Sequence, residues 1–463
     1  MEAKNGFLSL QGDYIQKASE LVSVLYNAPK ACINTYGCQQ NVSDSEHIKG
    51  MLISMGYSIT EEPNEADFIL FNTCAVREHA QDRVYGNIGT VKALKKQNSG
   101  LLVAVCGCMA QQEIVAERIK KSYPYVDILF GTHNIHRLPE YIYRRLSGSK
   151  RIFDISMDNK KIVEGIPVSR DKTIKGWLPI MYGCDNFCTY CIVPYVRGRE
   201  RSRESSEILA EAKEMIKNGV KDITLLGQNV NSYGKGLEED INFAKLIRKI
   251  NALEGDFRIR FMTSHPKDCT TELLDAMRDC EKVAHHLHLP FQSGNDRVLK
   301  TMNRRYDRKT YLSLIKAARE RIPDISLTSD VIVGFPGETY EEFLDTVSLV
   351  KEVGYNSLFT FIYSPRPGTP AAEMEDPVSR EQKGKWFSEL LVVQDKIGKE
   401  KVKQMLGKTY TVLCEEKSEN EGYIMGRTSG TDVIEFKGDA TLLGQFVNVT
   451  VTSVENALLG ELK

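Results

Sequence analysis

Three cysteines, Cys184, Cys188 and Cys191, fall within eight residues, directly after the apolar run Trp177-Leu178-Pro179-Ile180-Met181-Tyr182. The placement asks for a strand that ends in a loop able to gather three thiolates, and soft thiolates select an iron-sulfur cluster, zinc or copper(I). Three ligands for a centre that wants four leave one position open for chemistry. A closed zinc knuckle would need a fourth ligand, and no His or Cys follows within the next seventy residues. Asp185, Asn186 and Thr189 inside the loop argue against three inert core thiols.

The chain around this loop alternates short apolar runs with helix-length segments. Runs at 178–182, 223–226, 258–262, 286–289, 326–333 and 357–363 predict six strands with intervening helices. That pattern is a (βα)6 sheet curved as a partial barrel across 170–396, with its site at the strand carboxyl ends. The same alternation at 31–36, 68–72, 101–105 and 126–130 predicts an open parallel α/β domain over 1–150, opened by one amphipathic helix within 1–29. Residues 145–176 are polar and irregular, and read as a linker. Short alternating segments at 410–413, 423–425, 432–436 and 446–451 predict a small antiparallel β-barrel over 400–463.

Three more cysteines stand after strands of the N-terminal domain: Cys38 in Thr35-Tyr36-Gly37-Cys38, Cys74 in Asn72-Thr73-Cys74-Ala75, and Cys108 in Gly107-Cys108-Met109-Ala110-Gln111. Carboxyl ends of parallel strands lie along one edge, so thiols spaced 36 and 34 residues apart can converge there on a second cluster. Small buried residues at strand ends are the structural alternative. Cys32 and Cys106 lie within the strands and belong to the core.

The 61 Lys plus Arg against 62 Asp plus Glu leave a net charge of -1, so any nucleic-acid contact must come from local patches. The C-terminal barrel, with seven basic and nine acidic residues over 401–463, makes no electrostatic case for one. Eleven cysteines without a secretory signal or a membrane-length apolar run imply a reducing, soluble, cytoplasmic setting with no membrane partner. Two arginine-rich stretches are candidates for phosphate contact: Arg197, Arg199, Arg201 and Arg203, and Arg304 and Arg305 followed by Arg308 and Lys309. Interleaved Glu200 and Asp307 fit a solvated charged face as well.

Cys184-x3-Cys188-x2-Cys191, with Tyr190 before the last cysteine, resembles the signature of the radical S-adenosylmethionine superfamily. Together with the three N-terminal motifs, and with Val76-Arg77-Glu78 continuing the second of them, the chain resembles the methylthiotransferases over nearly its whole length. The resemblance implies an N-terminal methylthiotransferase domain, a central radical domain and a C-terminal TRAM domain. Asn186-Phe187 before the second cysteine, and Arg197-Gly198-Arg199-Glu200-Arg201-Ser202-Arg203 after the third, are similar to the bacterial branch acting on N6-dimethylallyladenosine in tRNA. The ribosomal-protein branch usually has Arg-Pro there. Threonylcarbamoyladenosine in tRNA and a ribosomal protein are the alternative substrates, and an iron-sulfur RNA-binding or sensor protein the alternative class.

The resemblance further implies two 4Fe-4S clusters, one on Cys184, Cys188 and Cys191 with S-adenosylmethionine at its open iron, and an auxiliary one on Cys38, Cys74 and Cys108 carrying the sulfur. One S-adenosylmethionine would give the methyl group and another the 5'-deoxyadenosyl radical that attacks C2 of the adenine. An external electron donor, a sulfur donor and a tRNA anticodon stem-loop are the expected partners of a monomer. Tyr190, Gln228, Gln292, Ser293, Asp330 and Gly334 are the candidate cofactor contacts, with loop capping the alternative for Gln228, Gln292 and Ser293. His285, His286 and His288 alternate along a strand, and are expected in core or supporting roles, not on a metal.

Overall fold

The computed structural model of this 463-residue chain describes residues 6–75, 78–157, 162–170, 174–455 and 457–463. Val76 and Arg77 of the second cysteine motif and 158–161 of the expected linker lie outside the described residues, as do the side chains of 78–82. The chain forms two compact units. One comprises Met1–Asp171, Met181–Asp185 and Cys191–Arg203; the other comprises Lys172–Ile180, Asn186–Tyr190 and Glu204–Lys463.

The first unit is built on a six-stranded parallel sheet of β1 (Lys30–Thr35), β2 (Ser58–Ile59), β3 (Phe68–Thr73), β4 (Leu102–Gly107), β5 (Ile128–Phe130) and β6 (Ile152–Asp154), in the order β2-β1-β3-β4-β5-β6. Every residue of β3 and β4 is buried, which is why they read as unbroken apolar runs: helices cover both faces of the sheet. Phe7, Val22, Met51 and Tyr141 pack on Phe68, Leu70 and Ala104 from one side, while Val84, Ile88 and Ile119 pack on Ile69, Phe71 and Val103 from the other. Cys106 and Cys32 sit in these two cores, one on each side. The amphipathic segment near the start forms the helix Phe7–Leu25. Two strands of this sheet were not legible in the pattern. β2 is too short to show a period, and β6 lies inside the polar stretch read as a linker, where Ile152 and Phe153 nonetheless extend the sheet by pairing with Ile128 and Leu129.

The second unit carries five of the six predicted central strands close to where the pattern puts them. The exception is 178–182, which the fold divides. β7 (Lys175–Pro179) joins this unit's sheet, whereas β8 (Met181–Tyr182) pairs antiparallel with β9 (Arg201–Ser202) in the first unit. β10 (Asp222–Leu226) and β11 (Arg258–Phe261) follow β7 as parallel neighbours; β12 (His286–His288), β13 (Ser326–Val333) and β14 (Ser357–Ile362) form a second parallel trio. The trios meet through a bridge between Ile259 and Val283, where the Ile259 amide donates to the Lys282 carbonyl at 2.7 Å and the Ala284 amide to the Ile259 carbonyl at 2.9 Å. The six strands thus form a partial barrel that loosens at its middle.

In the same unit β15 (Thr409–Lys417), β16 (Tyr423–Arg427), β17 (Val433–Lys437), β18 (Phe446–Ser453) and β19 (Leu459–Leu462) close a small barrel around Val412, Cys414, Ile424, Ile434, Phe436 and Val449. Its pairings are antiparallel except β17 with β19, which is parallel. Two arginines of β11 hold it to the central strands. Arg258 donates to the Arg427 and Thr428 carbonyls, both at 2.9 Å. Arg260 donates to the Thr428 and Gly430 carbonyls, both at 2.7 Å, and pairs with Asp222 at 2.8 Å. Among the described residues no helix is long and apolar enough to cross a membrane.

Asp222 is almost wholly buried, with 4% of its side chain exposed, and Arg260 is its charge partner. Removing one member of such a pair leaves an uncompensated buried charge, so Arg260→Met is expected to destabilise the protein by about 3–5 kcal/mol, read as a lower urea midpoint. A midpoint within error of the parent protein would show that the pair does not brace the fold.

Candidate metal centres

In the first unit the loops after β1, β3 and β4 deliver Cys38, Cys74 and Cys108 to one edge of the sheet. Cys38 caps the helix Gln39–Ser54, Cys74 follows the last residue of β3, and Cys108 follows the last residue of β4. Two glycines make this approach possible. A side chain at Gly37 would put its Cβ 2.8 Å from the Cβ of Cys74, and one at Gly107, where φ is +96°, would come 2.4 Å from the Thr73 carbonyl oxygen. A buried amide network supports the loops: Asn41 Nδ2 donates to Asn72 Oδ1 at 3.0 Å and to the Thr73 carbonyl at 3.2 Å, and Asn72 Nδ2 donates to the Asn41 carbonyl at 2.8 Å.

Burial pushes the Cys108 thiol up to about 12; the Arg197 guanidinium pulls it down, while Cys74, Cys38 and Asp44 push it up. Arg197 Nε lies 3.2 Å from Cys108 Sγ, and Arg197 Nη2 lies 2.7 Å from Asp44 Oδ2.

The residues of the Cys184–Cys191 loop are divided between the units. In the first, the Cys184 amide donates to the Gly198 carbonyl at 3.2 Å, and a Cβ on Gly183 would come 2.1 Å from the Arg199 carbonyl oxygen, so only glycine fits there. In the second, Arg304 Nη1 donates to Cys188 Sγ at 3.4 Å, Nη2 donates to the Pro290 carbonyl at 2.8 Å and Nε donates to the Tyr306 hydroxyl at 3.0 Å. Phe187 stands at φ 47° and Asn303 at φ 57°; the Asn303 amide donates to the Asn186 and Phe187 carbonyls at 3.2 and 2.9 Å. Asn186-Phe187 is thus a turn held from outside. Among the described residues no group of three or more His, Cys, Asp or Glu side chains is arranged around a single metal ion. A four-iron cluster asks for a wider set, because each thiolate binds a different iron.

The candidate cofactor contacts lie in the second unit on or after the strand ends. Gln228 follows β10 and is half-buried. Gln292, at φ 65°, bridges Val331 with its backbone, and its Oε1 is buried without a hydrogen-bond partner, which is what a residue awaiting a polar ligand would show. Ser293 is occupied locally: its hydroxyl accepts from the Asn295 amide at 3.3 Å and lies 3.4 Å from the Thr346 hydroxyl, so it reads as a loop cap. Asp330 faces His288 Nε2 at 3.5 Å. Gly334, at φ 70°, donates its amide to Glu338 Oε2 at 2.6 Å. Tyr190 packs against Val298, Met302, Phe335 and Tyr363.

The expectation of phosphate-binding arginines needs correcting for three of the six. Arg197, Arg203 and Arg304 are only 5%, 6% and 8% exposed. Arg197 serves Asp44 and Cys108, Arg203 pairs with Glu164 at 2.7 Å, and Arg304 serves Cys188 and Pro290. Guanidiniums this buried, and turned to internal partners, present no surface to phosphate. Arg199 and Arg305 are exposed and Arg201 is half-buried.

His286 Nε2 and His288 Nδ1 both meet the Thr328 hydroxyl, at 2.7 and 2.9 Å, while His285 faces Asp324. Burial, with the Arg260 charge and His288 adding to it, pulls His286 down to about 3, so it is neutral. The sequence reading missed Phe359 and Phe361, which pair in register with Asp330 and Ile332 and so share their face of the sheet, yet remain 46% and 47% exposed. Their alternation with Leu358 and Thr360 along β14 was the available signal.

The three-part build is also found by comparison. Residues 30–131 match the uncharacterized protein family UPF0004, 178–350 the radical SAM superfamily, and 403–462 the TRAM domain. A radical S-adenosylmethionine methyltransferase from Kitasatospora setae, TsrM, has a similar fold, with a TM-score of 0.56 at 13% identity over 75% of this chain and 77% of that one. The fold and the cysteine loop therefore define a radical SAM protein with a TRAM barrel. The tRNA-2-methylthio-N(6)-dimethylallyladenosine synthase of Clostridium perfringens is 52% identical over 93% of this chain and 97% of its own length, and that of Alkaliphilus oremlandii 50% identical over 97% of each. The chain belongs to the tRNA-2-methylthio-N(6)-dimethylallyladenosine synthase family. Membership implies one 4Fe-4S cluster and S-adenosylmethionine, and the Cys184, Cys188 and Cys191 spacing suits such a cluster with one iron left open.

Burial pushes the Glu338 carboxyl up to about 7, against the Gly334 and Phe335 amides that favour its charged form. Its folded value lies above its ordinary 4.5, so its stabilising contribution is complete below about 4.5 and is lost as pH rises through about 7. Unfolding midpoints of the parent protein should accordingly fall relative to Glu338→Gln between about pH 5 and pH 8. Parallel profiles would show that Glu338 does not hold a proton in the fold.

Proposed function

We propose that this chain inserts a methylthio group at C2 of N6-dimethylallyladenosine beside the anticodon of tRNA, using two 4Fe-4S clusters in two roles. The observation that carries the reading is the placement of Cys38, Cys74 and Cys108 in the loops after three neighbouring strands, at one sheet edge of the first unit, in a chain half identical to methylthio-adding synthases over nearly all its length. Cys184, Cys188 and Cys191 hold the cluster that leaves an iron for S-adenosylmethionine, and Cys38, Cys74 and Cys108 hold the auxiliary one. When bound, the first cluster supplies the electron that splits the sulfonium, and the second carries the sulfur to be transferred.

The chain's own residues do the positioning. Gln292, with its unpartnered buried oxygen, Gln228 after β10, Asp330 within β13 and Gly334 after it offer polar contacts to S-adenosylmethionine, and Tyr190 offers its backbone. Phe359 and Phe361 present exposed rings beside Asp330 and Ile332, where an adenine extruded from an anticodon loop could stack at a cost of a few kcal/mol for unstacking. Of the six candidate arginines, Arg199, Arg201 and Arg305 are the ones that reach the surface, where phosphates would meet them. The reaction requires an electron donor and a sulfur donor from outside the chain. The relatives, tRNA-2-methylthio-N(6)-dimethylallyladenosine synthases, favour dimethylallyladenosine over threonylcarbamoyladenosine or a ribosomal protein as substrate.

Anaerobically reconstituted protein is expected to hold about eight irons, and to convert tRNA carrying dimethylallyladenosine to a product heavier by one methylthio group in place of hydrogen, read by nucleoside mass spectrometry. Replacing Cys38, Cys74 and Cys108 together by Ala should abolish that gain in mass while 5'-deoxyadenosine still forms. Methylthio transfer that survives the triple replacement would remove the auxiliary thiols from the reaction.

A further inference from the structure

Arg197 is placed where the reading of its arginine-rich stretch did not look for it. It closes the short helix Val193–Arg197, which begins two residues after Cys191, and turns its guanidinium into the interior of the first unit. There it makes two contacts of different kind: Nε donates to Cys108 Sγ at 3.2 Å, and Nη2 to Asp44 Oδ2 at 2.7 Å. Asp44 is itself buried, and its other oxygen accepts from Gln40 Nε2 at 3.2 Å. The segment is anchored from two further sides. Thr132 Oγ1 donates to the Val196 carbonyl at 2.6 Å, and Ile192 and Val196 pack with Ala75 and Cys108.

A buried guanidinium costs much desolvation, and a single carboxylate would be enough to neutralise it. The contact to sulfur is the part that the ion pair does not explain. Hydrogen bonds and positive charge at a ligand sulfur stabilise the more negative, reduced state of an iron-sulfur cluster and raise its potential. Asp44 orients the fork and limits how much positive charge the sulfur meets.

We propose that Arg197 is a positioning residue of the auxiliary centre: it holds the Cys108 sulfur through an N–H···S bond that raises that cluster's potential, and it does so from the segment that begins at Cys191. The proposal rests on the reading of Cys38, Cys74 and Cys108 as cluster ligands. It gives the two cysteine motifs a mechanical link that neither spacing contains, since a displacement of the segment after Cys191 would be felt at Cys108.

The test uses the full chain with Cys184, Cys188 and Cys191 replaced by Ala, so that only the auxiliary cluster can form. After anaerobic reconstitution this parent should hold about four irons. Absence of iron here would remove the auxiliary-cluster reading itself, and the proposal with it. Two variants are then compared with that parent in an EPR-monitored redox titration. Arg197→Lys keeps the charge and should keep the iron with a potential near the parent's. Arg197→Met combined with Asp44→Asn removes donor and counter-charge together, leaving no orphaned charge to unfold the unit, and should shift the midpoint to more negative potential. An unchanged midpoint in the double variant, or equal loss of iron from both variants, would overturn the proposal in favour of a purely structural arginine.

Discussion

The first unit depends on one geometric constraint: parallel strands joined by right-handed crossovers present all their carboxyl ends along one edge. β1, β3 and β4 are neighbours in that sheet, so the loops that follow them are neighbours too, although their cysteines are 36 and 34 residues apart in the chain. Gly37 and Gly107 remove the two Cβ atoms that would hold those loops apart. The Asn41 and Asn72 amides satisfy the backbone groups that the tight approach buries.

Arginine has a second career in this fold beside any it has with nucleic acid. Arg197 touches Cys108, Arg304 touches Cys188, and Arg258 and Arg260 tie the small barrel's β16–β17 turn to β11. Each spends the fork geometry of its guanidinium on several acceptors at once. Arg197, Arg258 and Arg304 are thus among the few of the chain's 61 basic residues that lie buried, where they organise thiol, carboxylate and carbonyl acceptors.

Much of the architecture was legible because periodicity survives in the strands that matter. The fully buried β3 and β4 read as continuous apolar runs, and the six central strands recur at helix-separated intervals. What escaped was short or divided. β2 and β6 have two and three residues, and the run before Cys184 reads as one strand although Pro179 and Met181 belong to different units. The strand-end placement of the thiols was legible and their surroundings were not, because a cysteine motif shows in its spacing, while Asp44, Asn41 and Arg197 acquire their partners only from the fold.

The sequence by itself determined the pattern: Cys184-x3-Cys188-x2-Cys191, three cysteines after three strands, and a three-part chain, all consequences of local spacing and periodicity. Tertiary structure alone decided which arginines are buried and what they serve. A run such as Arg197-Gly198-Arg199-Glu200-Arg201 looks uniformly cationic and solvent-facing when written as a line. Folded, Arg197 points to a carboxylate and a thiol brought from 153 and 89 residues away, and Arg199 stays outside beside Asp185. The desolvation of a charge is set by contacts made across the chain, and no local pattern records them.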